Sequence, residues 1–254
     1  MNLLSETRNI LKKVEELTGT PVEIVEDPTI PQLATIAWAR NGIPFHLLRI
    51  NSSLGEPDYL IVYECGFILR LYHVPPEERY AFSGSGRGRA DVERLLRRAG
   101  QTTTLPETVR ADLAQRLVDG LLTQLRSYPI GMRIDQWIHD AFPALDGLQR
   151  DAIARQQRDN LSVLQPETRA RAPKPVIDAN AAMNAAYAIF CDRVFGKAGY
   201  AIPYRSAGYE KRGRALLDIM ESIPEDPACD RALVDAWGEE LGLVDWYQWA
   251  PLQP

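Results

Sequence analysis

The segment Pro57–Tyr72, PDYLIVYECGFILRLY, leaves a folded chain few choices, because it is apolar on nearly every side. Pro57 suits the first turn of a helix, where its missing N–H costs nothing, and Pro75-Pro76 close the run. A helix with one apolar stripe can lie on a surface, whereas one that is apolar all round has to be enclosed. The segment therefore predicts a central buried helix with other elements packed on several sides. The 254 residues, 45% hydrophobic and 25% charged, have the ordinary balance of a globular chain. No apolar run approaches the ~20 residues that cross a bilayer, so no membrane partner is expected.

What precedes this helix supplies candidates for its surroundings. Apolar residues Ile10, Leu11, Val14 and Leu17 form a helical stripe over 5–18, with Ser5 as the expected N-cap and Gly19 and Pro21 as the stop. Pro21–Val25 reads as a short strand. Leu33–Ala39 and Ile43–Ile50, joined through Asn41-Gly42, read as a β-hairpin. Beyond residue 90 the sequence predicts helices over 91–99, 106–126, 132–142, 145–163, 178–195, 209–222 and 230–241, and no strand. Segregation of strands to the front and helices to the back makes the fold class α+β. Asn160–Pro175, with Pro166, Pro173 and Pro175, reads as a linker. The expected organisation is 1–80 as an α+β part, 81–165 as a helical part of the same domain, and 176–254 as a C-terminal helical part.

Within the central helix lies Tyr63-Glu64-Cys65-Gly66-Phe67. A hairpin followed by a buried helix bearing Glu-x-Gly resembles the zinc-binding helix of the ImmA/IrrE-like metallopeptidases, a zincin fold. The resemblance covers roughly residues 1–75. In that family the pattern is His-Glu-x-Gly-His: histidines at i and i+4 share a helix face and hold zinc, and the glutamate activates the bound water. Here Glu64 and Gly66 match, while Tyr63 and Phe67 occupy the histidine positions. Phenylalanine has no donor atom. His46, His73 and His139 are the only histidines, and none has another at i+4. The expectation is an inactive, metallopeptidase-like protein with no metal and no cofactor, in which Glu64 is a vestigial catalytic residue held in a structural ion pair by Arg40, Arg49 or Arg70. Phe67 is expected to face the core. The alternative is a hydrolase with an altered site built on Glu64. Relatives of the family often act with DNA-binding regulators, in stress responses and on mobile elements, so the resemblance implies a regulatory or defence setting.

Other chemistries lack their signatures. Ser83–Gly88, SGSGRG, reads as a loop: it has neither Walker spacing nor the following Lys-Ser/Thr. No G-x-S-x-G occurs. Cys65, Cys191 and Cys229 show no CxxC spacing and read as free thiols, the first two as inert core residues. With a charged N-terminus that has no apolar leader, they point to a cytoplasmic protein.

The net charge of -5 conceals an asymmetry: residues 218–254 hold nine acidic side chains against Arg231, a balance of -8, so 1–217 sum to +3. Arg87, Arg89, Arg94, Arg97 and Arg98 face only Asp91 and Glu93 in their own segment. Nucleic acid would find a foothold only there. Trp237, Trp246, Tyr247 and Trp249 crowd the acidic tail, either docked on the helical core or presented as an anchor. The expected partner is another protein, with Trp246, Trp249, Arg87, Arg94, Arg97 and Arg98 as binding residues.

Overall fold

The computed structural model describes residues 2–30, 32–40, 42–51, 57–98, 106–196 and 199–252. In chain order the elements are α1 (Ser5–Thr18), β1 (Val22–Glu26), β2 (Ala34–Ala37), β3 (His46–Ile50), α2 (Pro57–His73), β4 (Tyr80–Gly84), α3 (Gly86–Arg98), α4 (Glu107–Ala141), α5 (Asp146–Asn160), α6 (Pro166–Arg169), α7 (Lys174–Val194), α8 (Ile202–Ser206), α9 (Glu210–Ser222), α10 (Asp230–Leu241) and β5 (Tyr247–Pro251). The fold is α+β. The chain divides into two compact units: Met1–Tyr80 with Arg133–Arg155 and Pro251–Pro254, and Ala81–Met132 with Gln156–Ala250.

In the first unit, β3 is the middle strand of a three-stranded sheet in the order β1-β3-β2. The expected hairpin is present: β2 runs antiparallel to β3, with Ala34 opposite Ile50 and Ala37 opposite Leu47. Antiparallel pairing ends with Ala37 opposite Leu47, so the paired strands stop further apart in the chain than a turn at Asn41-Gly42 suggests; Asn41 itself lies outside the described residues. β1 pairs parallel with β3, Val22 opposite His46. Along β3, His46, Leu48 and Ile50 are buried and Leu47 and Arg49 are not, the alternation of a strand with one covered face.

α2 packs against α1, β2 and β3. Tyr59, Leu60, Ile61, Val62, Cys65, Gly66 and Ile68 are buried along it. Asp58, also buried, ties the two helices together: it accepts the Leu4 N–H at 2.8 Å and the Thr7 hydroxyl at 2.5 Å. Ser5 is therefore not the N-cap. Leu4 holds that position, and the Ser5 hydroxyl donates to Glu6 instead. A carboxylate from another helix reaches the open end of α1 and takes one of the N–H groups that have no partner inside the helix.

The second unit is built on α7, in which Ala179, Ala181, Ala182, Ala185, Ala186 and Ala188 are all buried. Such small side chains let α9 come close: a Cβ added at Gly213 would lie 2.9 Å from the Ala185 carbonyl carbon. Buried amides join the apolar contacts, with Gln124 donating to Asn184 and the Tyr128 hydroxyl 3.0 Å from the same Asn184 oxygen. Asn160–Pro175 holds a 3-10 turn, Leu161–Leu164, and α6, with Val163 and Ala172 in the core of this unit.

Three expectations are corrected. The helices over 106–126 and 132–142 are one helix of 35 residues, α4, with Pro129 inside it. Proline removes one backbone bond, but Leu125, Ile130, Met132, Ile134 and Ile138 on either side are buried, and that burial outweighs the local loss. Ser83–Gly88 is not a loop: it ends β4 and opens α3. Residues 247–251 form a strand, β5, beside β4.

Two outcomes follow from this packing. His46 is fully buried, and its Nδ1 accepts the Ala39 N–H at 3.1 Å, which leaves the proton on Nε2, 3.3 Å from the Thr18 hydroxyl. Burial holds its pKa below the ordinary 6.5. The unfolded chain therefore takes up a proton that the folded chain refuses. The stability owed to the neutral ring is complete above pH 6.5 and is lost as the pH falls below that value. Urea unfolding of wild type and His46→Asn between about pH 5 and 8 should show a shallower acid decline in the variant. Gly213→Ala should cost about 1–3 kcal/mol in the same measurement, because the added methyl meets the backbone of α7.

Candidate functional site

The motif positions lie on α2 in the first unit. Spacing of four residues places Tyr59, Tyr63 and Phe67 in one row along the helix. The Tyr59 and Tyr63 rings are 5.8 Å apart, and Tyr63 meets Phe67 edge-on at 5.4 Å. The row is anchored at one end, where the Tyr59 hydroxyl donates to Asp135 at 2.7 Å. Asp135 is fully buried and also receives the Gln149 side-chain N–H, at 2.9 Å on its carbonyl and 3.1 Å on its carboxylate. Tyr63 and Phe67 are half-buried, so Phe67 is less fully enclosed than a core position would make it. Its ring packs on Tyr63 at the margin of the helix.

Gly66 has a clear physical task. A Cβ there would stand 2.6 Å from Ile134 Cγ2, so the absent side chain lets α4 lie directly on α2. Cys65 is fully buried, and burial, aided by the neighbouring Glu64 charge, pushes its thiol up to about 12. Such a thiol stays protonated and is a poor nucleophile. Glu64 is half-buried, and neither it nor Arg70 is without a partner. Of the other arginines named as its donors, Arg49 faces Asp27 at 4.0 Å and Arg40 is exposed.

The histidines do not gather as a set of metal ligands at the motif. His46 faces Thr18, Ala39 and the Tyr72 ring, His73 is exposed, and His139 lies 3.4 Å from Asp146. Among the described residues no three His, Cys, Asp or Glu side chains gather as metal ligands would.

The other expected binding residues belong to the second unit, and the structure brings them together. Trp246 is 7% exposed and lies on α3, where a Cβ at Gly88 would be 3.0 Å from the Trp246 Cβ. Ser85 fixes this contact: its N–H donates to the Trp246 carbonyl at 2.7 Å and its hydroxyl to the Asp245 carbonyl at 2.6 Å. The SGSGRG glycine at 88 thus admits an indole, and Ser85 binds the tail. Trp237 is fully buried and donates to the Leu216 carbonyl at 2.9 Å. Of the two possibilities for the tail, docking on the core is the one the structure adopts for Trp237, Trp246 and Tyr247.

Trp249 is half-buried and stands at the edge of a small cluster. Phe82 lies 4.8 Å from Tyr247 and 4.9 Å from Trp249, and Arg231 sits over the Trp249 ring at 5.7 Å. Asp235 organises it, accepting the Tyr247 hydroxyl at 2.9 Å and the Trp249 indole N–H at 2.7 Å. Burial, reinforced by the Asp235 charge, raises the Tyr247 pKa far above its ordinary value.

The arginine segment is largely neutralised within the unit. Arg87 pairs with Asp245 at 3.1 Å, Arg94 with Asp91 at 2.6 Å, and Arg97 with Glu93 at 2.6 Å and Glu107 at 3.2 Å. The bond from Arg97 holds the Glu93 pKa below its ordinary value. Among the described residues neither Arg89 nor Arg98 forms an ion pair, although the Arg89 charge also acts on Glu93. Asp245 and Glu107 are remote in sequence from the arginines they face, which is why a local count of charges overstated the basic surface. Asp135 and Gln149 likewise escaped the sequence reading, since nothing in their own segments links them to Tyr59.

Comparison of the chain with family models, with curated proteins and with solved structures finds no match. Among the described residues no helix is long and apolar enough to cross a membrane.

Asp235→Ala should destabilise the protein by about 1–3 kcal/mol, because it leaves the Tyr247 hydroxyl and the Trp249 N–H without their acceptor. Asp235→Asn keeps an acceptor oxygen and should lose less. Urea unfolding followed by tryptophan fluorescence measures both.

Proposed function

We propose that this chain is a catalytically inactive, metallopeptidase-like protein that works by binding another protein, as a regulatory or interaction component of a larger prokaryotic assembly in the cytoplasm, in a defence or mobile-element setting. The observation that carries this reading is the aromatic row on α2. At the two positions where the related motif carries metal-binding histidines, Tyr63 and Phe67 pack on each other at 5.4 Å. The row continues to Tyr59, which is bonded to Asp135. A phenyl ring supplies no ligand, and the phenol of Tyr63 alone would be a weak one. The helix at this point is built for packing.

Glu64 then serves structure, as one of several half-buried charges with partners. Surfaces are left to carry function. The half-buried Trp249 with Phe82 and Arg231 offers an aromatic anchor, a residue type that dominates protein interfaces. Arg89 and Arg98 supply local positive charge, enough to steer an acidic protein partner or to touch a phosphate, but too little for general nucleic-acid binding.

Elemental analysis of protein purified without chelator, joined to a peptidase assay of wild type and Glu64→Gln, tests this reading. The expected result is no stoichiometric zinc, and equal stability and equal co-purifying partners for the two proteins. One zinc per chain together with a hydrolytic activity lost in Glu64→Gln would replace it with the hydrolase reading.

A further inference from the structure

The second unit contains a cavity of about 580 Å³ bounded by α7, α8 and α9. That volume is in the range of small-molecule sites. Its shape follows from how two helices meet. α9 touches α7 where Gly213 faces Ala185 and Ala186, and eight residues further along each helix Arg193 pairs with Glu221. Between these contacts Ile189 and Leu217 line the cavity, and Ala201, just before α8, and Ile202 of α8 complete an apolar wall. Ile202 is 58% exposed, a large aliphatic side chain left at the mouth.

The charges around this wall are unequally engaged. Glu210 receives Arg205 at 2.7 and 3.1 Å and Arg214 at 2.8 Å. Glu221 is taken by Arg193, and Asp192 accepts the N–H groups of Tyr200 and Ala201 at 2.9 and 3.0 Å. Every arginine of the lining thus faces a carboxylate already. Asp218 alone among the lining carboxylates has neither an ion pair nor a hydrogen bond with the described residues. Three arginines against four carboxylates leave the lining with a formal charge of -1.

We propose that this cavity binds a small organic cation of the alkylammonium class, with its charged head on Asp218 and its chain against Ile189, Leu217 and Ile202. The apolar wall excludes water from one side of the ammonium and so strengthens its attraction to the carboxylate. An anion of the same size would meet arginines that are already paired and a net negative lining. A neutral alcohol would gain the wall and forgo the charge.

Methyl-resolved NMR titration of the full chain with n-butylammonium tests this, with 1-butanol and butyrate as comparisons. The expected result is saturable shifts at the methyls of Ile189, Ile202 and Leu217, with 1-butanol and butyrate each at least about tenfold weaker. Asp218 is exposed on α9, so Asp218→Asn should keep the fold and weaken n-butylammonium by a similar factor. Should that variant fail to fold, the three-ligand comparison on wild type decides alone. Absence of saturable shifts, or equal titration by butylammonium and butanol, overturns the proposal, as does unchanged affinity in a folded Asp218→Asn protein.

Discussion

A helix with almost no face for water dictates the first unit. Leu60, Ile61, Val62, Cys65 and Ile68 point in several directions from α2, and each is at most 4% exposed. Enclosing them takes α1, the β2-β3 hairpin and the far part of α4. At roughly 25 cal/mol per Å² of apolar surface, this burial is the main favourable term available to the unit. Polar contacts then set the angles at which the layers meet. Asp58 holds the start of α1, and Asp135 holds Tyr59. Both carboxylates are buried and both are hydrogen-bonded, as burial in an apolar setting requires.

Close approach without a side chain is the recurring device of the tertiary structure. Gly66 admits Ile134, Gly88 admits Trp246, Gly213 admits the backbone of α7, and Gly238 admits the Tyr247 ring. In each case a methyl would fall at or below 3.0 Å from its neighbour. The third glycine of SGSGRG and the glycine of the α2 motif therefore have the same explanation: a bulky side chain or a helix lies on top of them. Neither needs a ligand to account for it. The tail is held between two such positions, on α3 through Trp246 and on α10 through Tyr247.

Electrostatics follow the same inward logic. A strongly acidic tail and a basic segment look in the sequence like two surfaces seeking partners. In the folded second unit Asp245 of the tail meets Arg87, and Ser85 binds the tail backbone. Exposed pairs of this kind contribute little to stability, but they remove charge from the surface that a partner would see. Arg89 and Arg98 on α3, and Asp218 beside an apolar cavity, are among the charges of this unit that no ion pair among the described residues takes up.

Periodicity and chain-stopping residues determined a large part of this fold before any coordinates. The α1 stripe ends at Gly19, which has the left-handed backbone of a helix stop. The antiparallel β2-β3 pair follows from two apolar runs around Asn41-Gly42, and α2 from its Pro57 start and Pro75-Pro76 end. These are short-range preferences, written in residues a few positions apart. Tertiary structure alone decided that Pro129 lies inside one long helix, because burial on both sides outweighs one lost backbone bond. It decided that 247–251 is a strand, because an extended segment needs a partner, and that partner, β4, is more than 160 residues away in the chain. It also decided which charges face each other and which glycines are crowded. Those properties belong to pairs of residues that only the folded chain brings together.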